Sequence, residues 1–135
     1  MAVIPLLTFT DECTAAIETY VAAFDADIER LVRFQDAPGW DRPRFGRRVM
    51  VAELAVAGER IRMSDALTDL PISTGRRLAI RLELGDQLLG QAAAVLGEGG
   101  VVLTEVTPTG RSGGCYAMIE DRFGVVWELV GRAAR

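Results

Sequence analysis

The sequence predicts an α+β fold of two βαβββ modules in tandem, forming a curved mixed sheet around a concave cavity. Three observations carry that expectation. The order strand, helix, three strands can be read twice along the 135 residues. Each half holds one helix with apolar residues at i, i+3, i+4 and i+7: Ile17, Tyr20, Val21 and Phe24, then Leu89, Ala92, Ala93 and Leu96. Each half also closes on strands joined by a short turn, at Ala57-Gly58 and at Asp121–Gly124. The halves share element order and helix spacing rather than sequence identity. The length suits one domain, with module 1 over about 1–68 and module 2 over about 76–131.

Taken in order, "VIPLLTF" reads as the first strand. "TDE" opens a helix over about 12–24, with Thr10 or Asp11 as its N-cap and acidic charge in the first turn. "ADIERLVRF" is a strand, and "QDAPGWDRPRFG" a loop with two prolines, two glycines and two aromatics. "RRVMVAELAV" and "ERIRMSD" form a hairpin, and "ALTDLPISTGR" is a polar connector. "RRLAIRLEL" is the next strand, with Leu78, Ile80, Leu82 and Leu84 on one apolar face and Arg77, Ala79, Arg81 and Glu83 on the other. Gly85-Asp86 begins the second helix and "GEGG" ends it. "VVLTEVTP", "CYAMIED" and "VVWELV" are the last strands, with "TGRSGG" as a loop. Neither glycine-rich stretch precedes a helix, so neither reads as a phosphate cradle.

Net charge is −4 with no lysine, so nucleic acid and anionic membranes are not expected partners. No apolar run approaches the roughly 18–20 residues that span a bilayer. The opening "MAVIPLLTFTDE" lacks a basic segment and reaches Asp11 too early for a leader, so a cytoplasmic protein with free thiols at Cys13 and Cys115 is expected. The most informative count is zero histidine, which removes the usual metal ligand and neutral-pH general base.

Against this background "MIEDRFGVVWELV", together with "IPLLTF", "AAIETYVAAF" and "VMVAELAVAGERIRMSDA", resembles the vicinal oxygen chelate superfamily, the glyoxalase, bleomycin resistance and dioxygenase group, and in particular its PhnB-like branch. The resemblance implies two βαβββ modules, a small-molecule cavity and commonly a homodimer. It also implies metal ligands, in members that use a metal, from the first strand of each module and the last strand of the chain. Glu128 matches the last of these positions. The other slots fall near Pro5 or Leu6 and near Arg77, which offer no ligand; Val51 stands where the branch often has histidine, and Ser112 where it has tryptophan.

Glu128 therefore needs another partner. In the resembled fold the strand holding Arg77 and Arg81 neighbours the last strand, and an arginine fork can take the electrostatic place of a cation. Arg81, or failing it Arg77, is the expected partner. Glu53 is a second carboxylate on a strand face shared with Val51, and one or two carboxylates without imidazole suit Zn²⁺ or Fe²⁺ poorly. Tyr116 is a candidate hydrogen-bond donor, and Trp40 and Phe45 are large apolar groups in a polar loop. The reading is a metal-independent small-molecule binding protein, with no cofactor, whose cavity is lined by Phe9, Trp40, Glu53, Arg81, Tyr116 and Glu128. Two alternatives stand beside it: a metal-dependent lyase, isomerase or dioxygenase keeping Glu128 as ligand, and an antibiotic-sequestering protein.

Overall fold

The computed structural model describes residues 1–73, 75–109 and 114–132. Ser112 and most of the "TGRSGG" loop lie outside the described residues, as does Thr74 of the connector. The elements run β1 (Leu6–Phe9), α1 (Cys13–Phe24), β2 (Asp27–Arg33), β3 (Val49–Val56), β4 (Glu59–Asp65), β5 (Ile80–Gly85), α2 (Asp86–Gly97), β6 (Val101–Pro108), β7 (Cys115–Glu120) and β8 (Val126–Arg132). This is the twice-repeated βαβββ order, in two four-stranded mixed sheets of matching topology, β1-β4-β3-β2 and β5-β8-β7-β6. Packing divides the chain into two compact units, Met1–Val21 with Asp25–Ser73, and Ala22–Phe24 with the residues from 74 onward. No helix among the described residues is long and apolar enough to cross a membrane.

In the first unit β1 runs parallel to β4, and β3 is antiparallel to both β4 and β2. Period-2 alternation sends Ala52, Leu54, Val56, Ile61 and Met63 to a buried face and leaves Glu53, Ala55 and Arg62 on the other. The β3–β4 hairpin turns through Ala57 and Gly58, both at positive φ (51° and 81°), the paired left-handed geometry of a two-residue hairpin. Its register places Glu53 opposite Arg62.

The expected cap of α1 is replaced. Asp11 takes a left-handed φ of 59°, Glu12 occupies the N-cap without a side-chain bond, and the first turn holds no acidic residue. The first helical amide, that of Cys13, donates instead to Asp65 Oδ1 (3.0 Å), whose Oδ2 accepts from the Val49 amide (2.9 Å). One buried carboxylate from β4 thus serves both the helix start and the strand start, a job local sequence does not reveal.

The loop after β2 contains two short 3-10 turns, Phe34–Asp36 and Pro43–Phe45. Buried Arg48 fastens its end, donating to the carbonyls of Ala66 (2.8 Å) and Thr68 (2.6 Å) and pairing with Asp69. Its guanidinium lies 4.6 Å from the Phe45 ring centroid.

In the second unit β5 is parallel to β8, with β7 and β6 antiparallel beyond. Leu82, Leu84, Ala117, Ile119, Trp127 and Leu129 form the buried face, on which α2 packs through Leu89, Ala92 and Leu96. β5 begins later than expected, at Ile80, so Arg77 is outside the strand and Leu78 is 84% exposed rather than packed. The register explains this. Ile80 pairs with Trp127, so Arg77 and Leu78 would need Gly124 and Val125, which are engaged in the turn that Asp121 organises.

That turn closes by the Gly124 amide donating to the Asp121 carbonyl (2.9 Å). The Asp121 side chain accepts from the amides of Phe123 and Val125 (3.0 Å each) and from Trp127 Nε1 (2.9 Å). At the far end of the unit, Asp86 Oδ1 accepts from the Cys115 amide (3.2 Å), and a Cβ added at Gly131 would stand 2.1 Å from that oxygen. Only glycine fits there.

Candidate binding site

Alternation along β8 points Glu128 away from the buried face that holds Trp127 and Leu129. Arg81 of β5 stands directly across the parallel pair, and Met118 of β7 across the antiparallel one. Arg81 Nη1 donates to Glu128 Oε1 at 3.0 Å. Tyr116, two residues along β7 from Met118, is a diagonal neighbour, and its hydroxyl donates to Glu128 Oε2 at 2.9 Å. Both carboxylate oxygens are therefore engaged, one by a cation and one by a phenol.

These contacts set the protonation states. The Tyr116 hydrogen bond and then the Arg81 hydrogen bond and charge hold the Glu128 carboxyl below its ordinary value, against a smaller opposing effect of burial. Burial first, then the bond to Glu128 and its charge, push the Tyr116 phenol above its ordinary value, with Arg81 working the other way. The group is an ionised acceptor between a permanent cation and a neutral donor. Glu128 is a poor general base in this setting, because its proton affinity is lowered.

More charge lines the same face. Arg76 Nε and Nη2 lie 3.3 and 3.5 Å from the two oxygens of Glu120, and Arg81 Nη2 is 3.9 Å from Glu83 Oε1. Arg132 donates to the Glu83 carbonyl at 3.3 Å. Met118 and Val130 are half-buried between these pairs.

The structure brings Arg81, Tyr116 and Glu128 together in the second unit. The other three candidates are in the first unit and are placed differently. Glu53 faces away from the buried side and lies 3.3 Å from Arg62 Nε, a buried nitrogen close enough for an ion pair but not aligned for a hydrogen bond. Trp40 stays within its loop, its ring 4.9 Å from Phe34 and its Nε1 donating to the Arg42 carbonyl (2.8 Å). Phe9 pairs in register with Asp65 on the buried side and is 4% exposed.

Sequence reasoning passed over Arg62 on the first sheet, and Arg76, Glu120 and Arg132 on the face around Glu128. The two-residue turn at Ala57-Gly58 fixes Glu53 opposite Arg62, so that pair had a signal. Arg76 had none, because it reaches Glu120 from an irregular connector.

The donors fit a metal poorly. Among the described residues no three of His, Cys, Asp and Glu gather as a metal-binding group. Arg77 is outside β5, and the Pro5 carbonyl is taken by the Arg62 amide at 2.9 Å. Neither thiol adds a soft ligand or an activated nucleophile to this face. Cys13 is fully buried, and desolvation, reinforced by Asp65, pushes its thiol up to about 12. Cys115 points to the opposite side of β7 from Tyr116, as alternation requires.

Comparison with known proteins agrees with this architecture. The family described as 3-demethylubiquinone-9 3-methyltransferase matches residues 1–130. A crystal structure of protein PA1353 from Pseudomonas aeruginosa is 25% identical, with 98% of each chain covered and a TM-score of 0.82. A putative 3-demethylubiquinone-9 3-methyltransferase, PhnB protein, from Bacillus cereus is 18% identical over 96% of this chain and 98% of its own, with a TM-score of 0.76. The fosfomycin resistance protein FosX from Listeria monocytogenes shares the fold at 13% identity, covering 100% of this chain and 94% of its own, with a TM-score of 0.63. No curated protein matches the chain.

Proposed function

The chain belongs to the PhnB-like family described as 3-demethylubiquinone-9 3-methyltransferase, within the vicinal oxygen chelate superfamily, and from that premise we propose that it is a metal-independent small-molecule binding protein. Its ligand rests on the face of the second sheet that carries Arg81, Tyr116 and Glu128. The observation that carries the reading is the double engagement of Glu128. Its family position is that of a metal ligand, but Arg81 and Tyr116 occupy its two oxygens at 3.0 and 2.9 Å. An arginine thus takes the electrostatic place of the cation.

The spare capacity of the group is for binding. An ionised carboxylate offers roughly four lone-pair sites, of which two are used here, and the Tyr116 oxygen still accepts while it donates. Arg81 retains further N–H donors, and Met118 and Val130 supply apolar contact. A molecule with an apolar body and a hydroxyl or carbonyl group matches this surface. Methyl transfer, the activity in the family's description, forms no part of the reading.

Assembly as a homodimer belongs to the same proposal, on the resemblance alone. The test is a small-molecule screen read by amide chemical shifts. Ligands should perturb residues 116–118 and 128–130 together, and Tyr116→Phe should weaken them. Hits that map elsewhere and ignore Tyr116→Phe contradict the proposed site.

A further inference from the structure

From the charge balance of this face we infer that its ligand is an uncharged molecule, rather than an anion, a cation or a metal ion. The inference rests on the binding reading above and narrows it to a ligand class. β5, β7 and β8 and the connector bring three arginines and three glutamates to this face: Arg76, Arg81 and Arg132, against Glu83, Glu120 and Glu128. The two half-buried carboxylates, Glu120 and Glu128, each have a guanidinium within 3.3 Å. Glu83 is more exposed and lies 3.9 Å from the Arg81 guanidinium.

A charged ligand meets this arrangement at a disadvantage. An anion gains Arg81 only by displacing Glu128 or sharing its cation with it, which leaves a partly buried carboxylate short of its partner. A cation, whether ammonium or metal, must likewise compete with Arg81 for Glu128 while approaching a guanidinium. A neutral hydroxyl, carbonyl or amide breaks no pair. It uses the spare lone pairs of Glu128 and Tyr116 and the spare donors of Arg81, and its apolar part covers Met118 and Val130. The internal pairing is thereby a selectivity device: the face presents hydrogen-bonding groups without net charge.

The experiment uses the full chain and three probes with one ring and different charge: benzyl alcohol, benzoate and benzylammonium, with Zn²⁺ as a fourth. Binding is read by amide chemical shifts at residues 116–118 and 128–130. Benzyl alcohol should bind at least about tenfold more tightly than either ion, with an affinity unchanged between low and high salt. Glu128→Gln leaves Arg81 without its carboxylate, and should shift the preference toward benzoate and make binding salt-sensitive. Tighter binding of benzoate, benzylammonium or Zn²⁺ by the unmodified chain at these residues overturns the uncharged-ligand inference and leaves a binding face intact. Absence of any shift there with all four probes, by the unmodified chain and by Glu128→Gln, overturns the binding reading and the inference with it.

Discussion

Arg81 and Glu128 stand directly opposite each other in the parallel register of β5 and β8, joined by a 3.0 Å hydrogen bond. Arg81 is more than half exposed, so the pair contributes little to stability, about 0–1 kcal/mol. Its effect is on protonation. Arg81→Met should raise the Glu128 carboxyl toward its ordinary value, as followed by NMR titration of the side-chain carbon, with the midpoint of urea unfolding almost unchanged. A large loss of stability with an unmoved Glu128 titration would contradict this division of roles.

The pH dependence of stability has one limb on each side. Glu128, held low when folded, contributes stability above its unfolded value, and that part is lost as pH falls through the folded one. Tyr116 and Cys13 are raised, so their contributions are complete below their unfolded values and decline as pH climbs toward the folded ones. For Cys13 that window runs from 9.0 to about 12. Urea midpoints across pH should therefore show an alkaline decline that Cys13→Ala shallows, and an acid decline that Glu128→Gln shallows.

Asp121 accepts hydrogen bonds from two amides and the Trp127 indole, which makes the aspartate and tryptophan of the "MIEDRFGVVWELV" stretch partners in one turn. Asp121→Ala leaves these donors unserved and should cost about 2–4 kcal/mol in urea unfolding. Ligand shifts at Tyr116 should persist in whatever fraction remains folded.

Gly131→Ala drives a methyl group into Asp86 Oδ1 at 2.1 Å and the Cys115 amide nitrogen at 2.7 Å. The clash with backbone prevents a simple side-chain escape, so a destabilisation of about 1–3 kcal/mol is expected. Adding Asp86→Ala should recover only part of it, as a thermal unfolding comparison would show.

The two thiols should separate cleanly by reactivity. Cys115 is half-buried, whereas Cys13 is fully buried with its thiol pushed up to about 12. A thiol reagent should modify Cys115 in the native protein and Cys13 only on unfolding. Equal rates in the native state would contradict the placement of Cys13.

Periodicity made the architecture legible in the sequence. The helical spacing of Ile17–Phe24 and Leu89–Leu96, and the two turn signals, located the repeated order of elements. Alternation through "VVWELV" puts Glu128 and Trp127 on opposite faces, and the strand adjacency implied by the resemblance offers Arg81, or failing it Arg77, as the partner. What stayed hidden depends on contacts distant in sequence. Asp65 supplies the start of α1 from 52 positions away, which no N-cap pattern encodes. β5 loses Arg77 and Leu78 because their pairing partners on the next strand are used in a turn. Phe9 reads as a lining residue in the sequence, and what the sequence leaves unseen is its register opposite Asp65 on the buried side of the first sheet. Trp40 is legible as an unusual loop aromatic, but its tilted contact with the Phe34 ring follows from the path of the loop.

On the function proposed above, Arg81 rather than a metal ion holds Glu128. Elemental analysis of the purified, dialysed protein separates the two. No stoichiometric Zn²⁺, Ni²⁺, Mn²⁺ or Fe²⁺ is expected, either for the native sequence or for Arg81→Met. One equivalent of any of these surviving dialysis in the native protein, and lost in Glu128→Gln, would contradict it.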